Sequence, residues 1–259
     1  MEYVEPAEAR NLPGLRLALT TGVPGPWGEA AKAVFAVKKL DYVPVRQTAA
    51  EDNADLVAWT GFRNAPQAIY EDEPARIGWE EILALAERLA PEPSLVPEDE
   101  RERALVMGMS HALCSEDGLG WNRRLQLLAP MLSAPDAGEN PALEGTRVLG
   151  RDYGWTPEAA ERANRRIVSI LSFFSAQLAD QHAAGREYLV GDALSAVDLY
   201  WAAFCAMLRP LPDALCPMPE MMRVAYGTTT PEADAVLDEK LVAHRDMLYE
   251  RHIGLPLDF

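Results

Sequence analysis

Two hydrophobic periods run along the chain, and they divide it. Before residue 90 both a two-residue and a helical period occur. Beyond residue 98 only the helical one persists. Leu15, Leu17 and Leu19 alternate with other residues, which predicts a strand with one strongly apolar face. The stretch Gly22–Pro26 turns the chain. Trp27, Ala30, Ala31, Val34 and Phe35 then fall on one helical stripe, and Tyr42–Arg46 reads as a second short strand. Strand, helix, strand over this span predicts a βαβ unit with a right-handed crossover. A short helix over 51–60, a strand over 65–70, a fourth short strand over 74–77 and a helix marked by Trp79, Ile82, Leu83, Ala86 and Leu89 complete the first part.

Residues 90–99 carry three prolines, at 91, 93 and 97, which stop a helix and hold an extended link. Helices are predicted over 98–114, 119–132, 157–183, 195–208 and 231–252. Residues 133–156, rich in Gly, Pro and Asp, read as a long connecting loop of the kind that borders ligand sites. The last stretch, 244–259, is a polar helix followed by an apolar tail, read as docking on the fold, with a lid over a cleft as the alternative.

The most informative segment is Tyr188-Leu-Val-Gly-Asp192 followed by Leu194 and Ser195-Ala-Val-Asp198 before an apolar helix. Ser195 is placed to cap that helix and Asp198 to reach back to the Ser195 amide, a capping box with Asp in the acidic position. Both are read as folding residues.

Composition narrows the partners. The 259-residue chain is 49% hydrophobic and 25% charged, with a formal net charge of −16. That balance is globular, and it disfavours a nucleic-acid backbone and an anionic membrane surface. No apolar run reaches a membrane span, and Met1–Pro13 is acidic without the apolar core of a signal peptide. Three cysteines, Cys114, Cys205 and Cys216, form no CxxC pair, so neither a disulfide framework nor a zinc site is expected. The four histidines show no metal-ligand spacing, so no metal is expected. A reduced cytoplasm fits this usage.

The 188–198 motif closely resembles the buried helix start of glutathione-transferase C-terminal domains. Three earlier segments extend the resemblance to nearly the whole chain. Gly25-Pro26-Trp27-Gly28 looks like the helix start usually written Ser-Pro-x-Ser. Leu40–Val45 is similar to the loop into strand two. Asn64-Ala65-Pro66 resembles the motif before a cis-proline. The resemblance implies α/β plus all-α architecture: a thioredoxin-like glutathione-binding domain over 1–91 and an all-helical C-terminal domain over 98–259. It also implies glutathione as co-substrate, a small-molecule electrophile and a homodimer.

This chain departs from that pattern at two points. Gly25 stands where the family places a catalytic Ser, Cys or Tyr, and Gly78 and Trp79 stand where it places Glu-Ser. What remains at the first point is a helix N-terminus. The amides of Trp27 and Gly28 are unpaired there, and the dipole favours an anion. Trp27 and Thr21 are the side-chain candidates for stabilising a thiolate. Gly25, Gly28, Ala65 and Pro66 are expected to bind the tripeptide, Ala65 through its main chain as an added strand would. Arg76, Trp79 and Glu80 are the candidates for the γ-glutamyl and carboxylate ends. Met107, His111 and Cys114, spaced i, i+4, i+7, together with Trp121, Arg124, Tyr153 and Trp155, are candidates for the second substrate. The leading expectation is conjugation of the glutathione thiol to a hydrophobic electrophile. The alternatives are a non-catalytic binding protein of the same fold, and a glutathione-dependent peroxidase or dehalogenase.

Overall fold

The computed structural model describes residues 1–259. A short helix α1 (Pro6–Ala9) precedes strand β1 (Leu15–Thr20), helix α2 (Pro26–Val37), strand β2 (Val43–Gln47), helix α3 (Ala54–Thr60), strand β3 (Gln67–Tyr70) and helix α4 (Trp79–Leu89). The sheet order is β2-β1-β3, with β1 parallel to β2 and antiparallel to β3. The alternation of Leu15, Leu17 and Leu19 puts these side chains in the core, none more than 6% exposed. The N-terminal part is therefore thioredoxin-like.

The expected fourth strand is not formed. Residues 74–77 contribute a single antiparallel bridge, Ala68 to Arg76, with main-chain bonds of 2.9 and 2.8 Å. Pro74 has no amide to extend the ladder. The next amides, of Ile77 and Gly78, donate instead to the Glu81 carboxylate at 2.9 and 3.1 Å. That carboxylate starts α4 and ends the pairing.

The rest of the chain is helical: α5 (Glu100–Cys114), α6 (Leu119–Leu132), α7 (Glu144–Asp152), α8 (Pro157–Ala183), α9 (Ala196–Cys205), α10 (Glu220–Gly227), α11 (Pro231–Val236) and α12 (Glu239–Leu248). Two expectations are corrected here. The 133–156 segment is not a plain loop, since α7 lies within it. Its Gly150 is a packing residue, because a Cβ there would stand 2.7 Å from Leu132 Cδ1 on α6. The single helix expected over 231–252 is split into α11, α12 and a short π-helical turn at Tyr249–Ile253. Asp238 stops the run and caps α12 by accepting from the Lys240 amide at 2.8 Å.

The capping box at α9 is present, and it is more heavily used than the sequence indicates. Asp198 accepts from the Ser195 amide (3.0 Å), the Ser195 hydroxyl (2.9 Å) and the Leu189 amide (2.9 Å). Every residue of α9 is buried. The linker joins this centre as well, because the Leu95 carbonyl accepts from the Ala196 amide at 2.8 Å. One hydrophobic cluster runs from Leu15 on the sheet to Leu257 in the tail, so the two halves share a core.

Candidate functional site

The start of α2 is built around what it lacks. Gly25 is the N-cap, with φ −63° and ψ 124°, and no side chain caps the helix. Pro26 fills the first helical position, where an amide would have no partner in any case. The first helical bond is made by Glu29 to the Gly25 carbonyl at 2.9 Å. The amides of Trp27 and Gly28 donate to no protein group. Gly28 sits where a Cβ would come within 3.2 Å of Leu19 Cδ2, so its lack of a side chain keeps α2 close against β1.

These residues form one wall of a cavity of about 370 Å³ between the sheet and the helices. Ala65 and Pro66 lie on the same cavity, and the bond joining them is cis, as expected. Neither main-chain group of Ala65 is hydrogen-bonded within the chain. The facing wall comes from α6, α7 and α10, through Trp121, Arg124, Tyr153 and Tyr226. Trp121 and Tyr153 are held together: the Trp121 indole donates to the Tyr153 carbonyl at 3.0 Å and the rings are 4.7 Å apart. Burial raises the pKa of the Tyr153 phenol, so it remains a protonated donor.

Of the residues expected in the site, Trp27, Gly25, Gly28, Ala65, Pro66, Trp121, Arg124 and Tyr153 line this cavity. The Trp27 indole is not aimed into it as a donor, because its N–H bonds the Cys114 carbonyl at 2.7 Å. Thr21 is outside the cavity, 3.4 Å from the Gln47 carbonyl. Its neighbour Thr20 lines the cavity, but donates its hydroxyl to Gln47 Oε1 at 2.6 Å. The three γ-glutamyl candidates also lie elsewhere. Arg76 pairs with Glu73 at 2.8 Å, the Trp79 indole donates to Ser115 Oγ at 2.8 Å, and Glu80 is exposed. The expected helical stripe does not face the cleft either. His111 is exposed, Met107 packs against the core, and Cys114 is buried. Trp155 packs behind Trp121 and Tyr153.

Gln47, Tyr3, Tyr226 and Ile77 line the cavity without having been singled out from sequence; Asn64, named there in the cis-proline motif, lines it too. Gln47 was within reach, because strand register places it opposite Thr20. Tyr226 was not. Its position depends on Arg123, which donates to the carbonyls of Ala225 (2.9 Å) and Tyr226 (3.2 Å) from a helix about one hundred residues earlier. The tail docks as expected, the Leu257 amide bonding the Leu215 carbonyl at 2.8 Å, and Phe259 reaches the cavity rim. Glu29 also lines the cavity. Burial raises its carboxyl pKa despite the Lys32 ammonium 2.9 Å away. No group of three or more His, Cys, Asp or Glu side chains is arranged to hold a metal, and no helix is long and apolar enough to cross a membrane.

A thioredoxin-like sheet part followed by a long helical part defines a glutathione-transferase-type fold, and the comparisons agree. The family model for the glutathione S-transferase C-terminal domain matches residues 131–223. The chain is similar to a glutathione S-transferase from Methylobacterium radiotolerans, solved with glutathione sulfonate. Identity is 14% and the TM-score 0.63, over 95% of this chain and 97% of that one. It is also similar to a glutathione S-transferase domain-containing protein from Marinobacter aquaeolei (19% identity, TM-score 0.61, 92% of this chain and 100% of that one). A third likeness is to the beta-etherase LigF of Sphingobium sp. strain SYK-6 (17% identity, TM-score 0.58, 92% and 99%). At these identities the likeness is one of fold. No curated protein matches the chain.

Proposed function

We propose that this protein binds glutathione on the sheet side of the cavity and transfers its sulfur to an electrophile held by the helical side. The observation that carries this reading is the pairing of two unused sets of main-chain groups on one cavity: the Trp27 and Gly28 amides, which donate, and the Ala65 amide and carbonyl, one a donor and one an acceptor. An extended cysteinyl segment laid along Ala65 brings its sulfur towards the start of α2. A helix N-terminus stabilises an anion by up to about 2 kcal/mol in a partly buried site. Each pKa unit corresponds to about 1.4 kcal/mol. A thiol of ordinary pKa, about 8.5, is then brought near neutrality without a side-chain donor. The thiol proton leaves to solvent, the thiolate attacks the electrophilic carbon, a carbon–sulfur bond forms, and the leaving group departs with its electron pair. Orientation of the two reactants supplies the rest.

In this reading residues 1–91 form the glutathione-binding domain and 98–259 the helical domain. The three buried thiols suit a reducing compartment. A homodimer is the proposed assembly, testable by sedimentation.

A specific observation favours a second reading, a non-catalytic binding protein of this fold. Glu81 already occupies the Ile77 and Gly78 amides, the donors at the start of α4. Those two main-chain donors are therefore not free for a γ-glutamyl group.

Titration calorimetry with glutathione, followed by thioether formation with an aryl halide, separates the two. Binding with turnover supports transfer. Binding without turnover supports the second reading. Absence of binding at millimolar glutathione removes transfer and favours the second reading.

A further inference from the structure

Arg123 and Arg124 are neighbours on α6 and behave oppositely. Arg123 is 3% exposed and fully committed, donating to the carbonyls of Met207 (2.8 Å), Ala225, Tyr226 and Thr228 and to Gln126 Oε1. Arg124 forms no ion pair and donates to no carbonyl; its guanidinium meets only the Tyr153 and Tyr226 phenols, and its buried Nε has no partner. Its guanidinium lies against the Tyr153 ring, 5.7 Å from the centroid, and beside Tyr226. Arg16, Arg223 and Arg245, also partly or fully buried, all donate to carbonyls or carboxylates.

Arg124 is also the only Lys or Arg lining the cavity. The two side-chain carboxylates on that cavity are engaged elsewhere, Glu29 with Lys32 and Asp152 with Arg63. Leaving a guanidinium half-buried without an anion is costly, and a planar fork of donors suits a carboxylate. The cavity also holds the rings of Trp27 and Trp121, 6.0 and 4.7 Å from the Tyr153 ring.

We propose that Arg124, flanked by Tyr153 and Tyr226, is the anion-recognition point of the cavity's helical wall, and that the ligand held there is an aromatic carboxylic acid. The carboxylate takes the guanidinium fork, and the ring lies among Trp27, Trp121 and Tyr153. This deepens the reading above by naming the class of second substrate, but it depends on Arg124 and not on the start of α2.

The test is titration of the full chain with 4-nitrobenzoate and with its methyl ester, following tryptophan quenching, with and without glutathione. The acid should bind at least about tenfold more tightly than the ester, as expected for a charge-assisted pair in a partly buried site. Arg124→Gln should abolish that ratio while leaving ester binding and the melting temperature near wild type. Tyr153→Phe, which keeps the ring, should weaken acid binding less. Acid and ester binding alike, or a ratio that survives Arg124→Gln, overturns the proposal. So does strict competition between the acid and glutathione, since the arginine would then serve the tripeptide. Preference for the acid in a protein that ignores glutathione supports this inference while removing the transferase reading.

Discussion

His244 Nε2 lies 2.9 Å from Asp198 Oδ1, and both side chains are buried in the helical half. The contact closes a circle of four donors around one carboxylate, three of them from the 189–195 segment and its cap. It ties α12 to the start of α9, so the motif that marks the fold also anchors the C-terminal helices.

Asp198→Ala should therefore be among the most damaging single changes. It strips partners from two buried amides, a hydroxyl and an imidazole at once. The expected loss is about 3–5 kcal/mol, measured by urea unfolding. A loss below about 1 kcal/mol would show that the carboxylate is dispensable.

Trp27→Phe separates side chain from main chain at the proposed thiolate site. It removes the donor to the Cys114 carbonyl and should cost about 1–2 kcal/mol of stability. The free amides of residues 27 and 28 persist, so glutathione affinity should change by less than about threefold, as read by calorimetry.

Gly25→Asp makes the complementary test. A Cβ at this position meets nothing within 4 Å, and φ of −63° suits any residue. The new carboxylate should cap α2, take up the free amides and add a few tenths of a kcal/mol of stability. Transferase rate at neutral pH should fall by about tenfold or more, with the pH–rate profile displaced upward, because a like charge now opposes the thiolate.

Gly120→Ala probes the contact between the halves. A Cβ there would stand 2.7 Å from Phe204 Cδ1 and 3.0 Å from Trp27 Cζ2. Overpacking should cost about 1–3 kcal/mol, visible as a lowered melting temperature.

The thiols should be silent in the native state. All three cysteines are buried, and burial raises Cys205 and Cys216 to about 11 and Cys114 above the ordinary thiol range. A thiolate-specific reagent at pH 8 should label none of them within minutes, and all three after denaturation. Rapid labelling of one native cysteine would reopen a cysteine-based mechanism.

Much of the architecture was legible because it rests on local periodicity. The alternation at Leu15–Leu19 and the stripe from Trp27 to Phe35 specify which faces are buried, whatever they pack against. The errors fell where a distant or competing contact decides. Gly150 looks like a loop former until Leu132 is seen against it. Residues 74–77 look like a strand until Glu81 takes the next amides.

For the site, the sequence by itself determined what is missing: no hydroxyl or thiol at Gly25, and a helix start with bare amides. These follow from residue identity and the geometry of any helix N-terminus. Only the tertiary structure decided which side chains face the cavity. The Trp27 indole turns to Cys114, Arg76 to Glu73, and Arg124 is left with Tyr153 and Tyr226 for neighbours. A long polar side chain can reach several partners, and which one it meets is set by how separate helices pack, information that no local pattern carries.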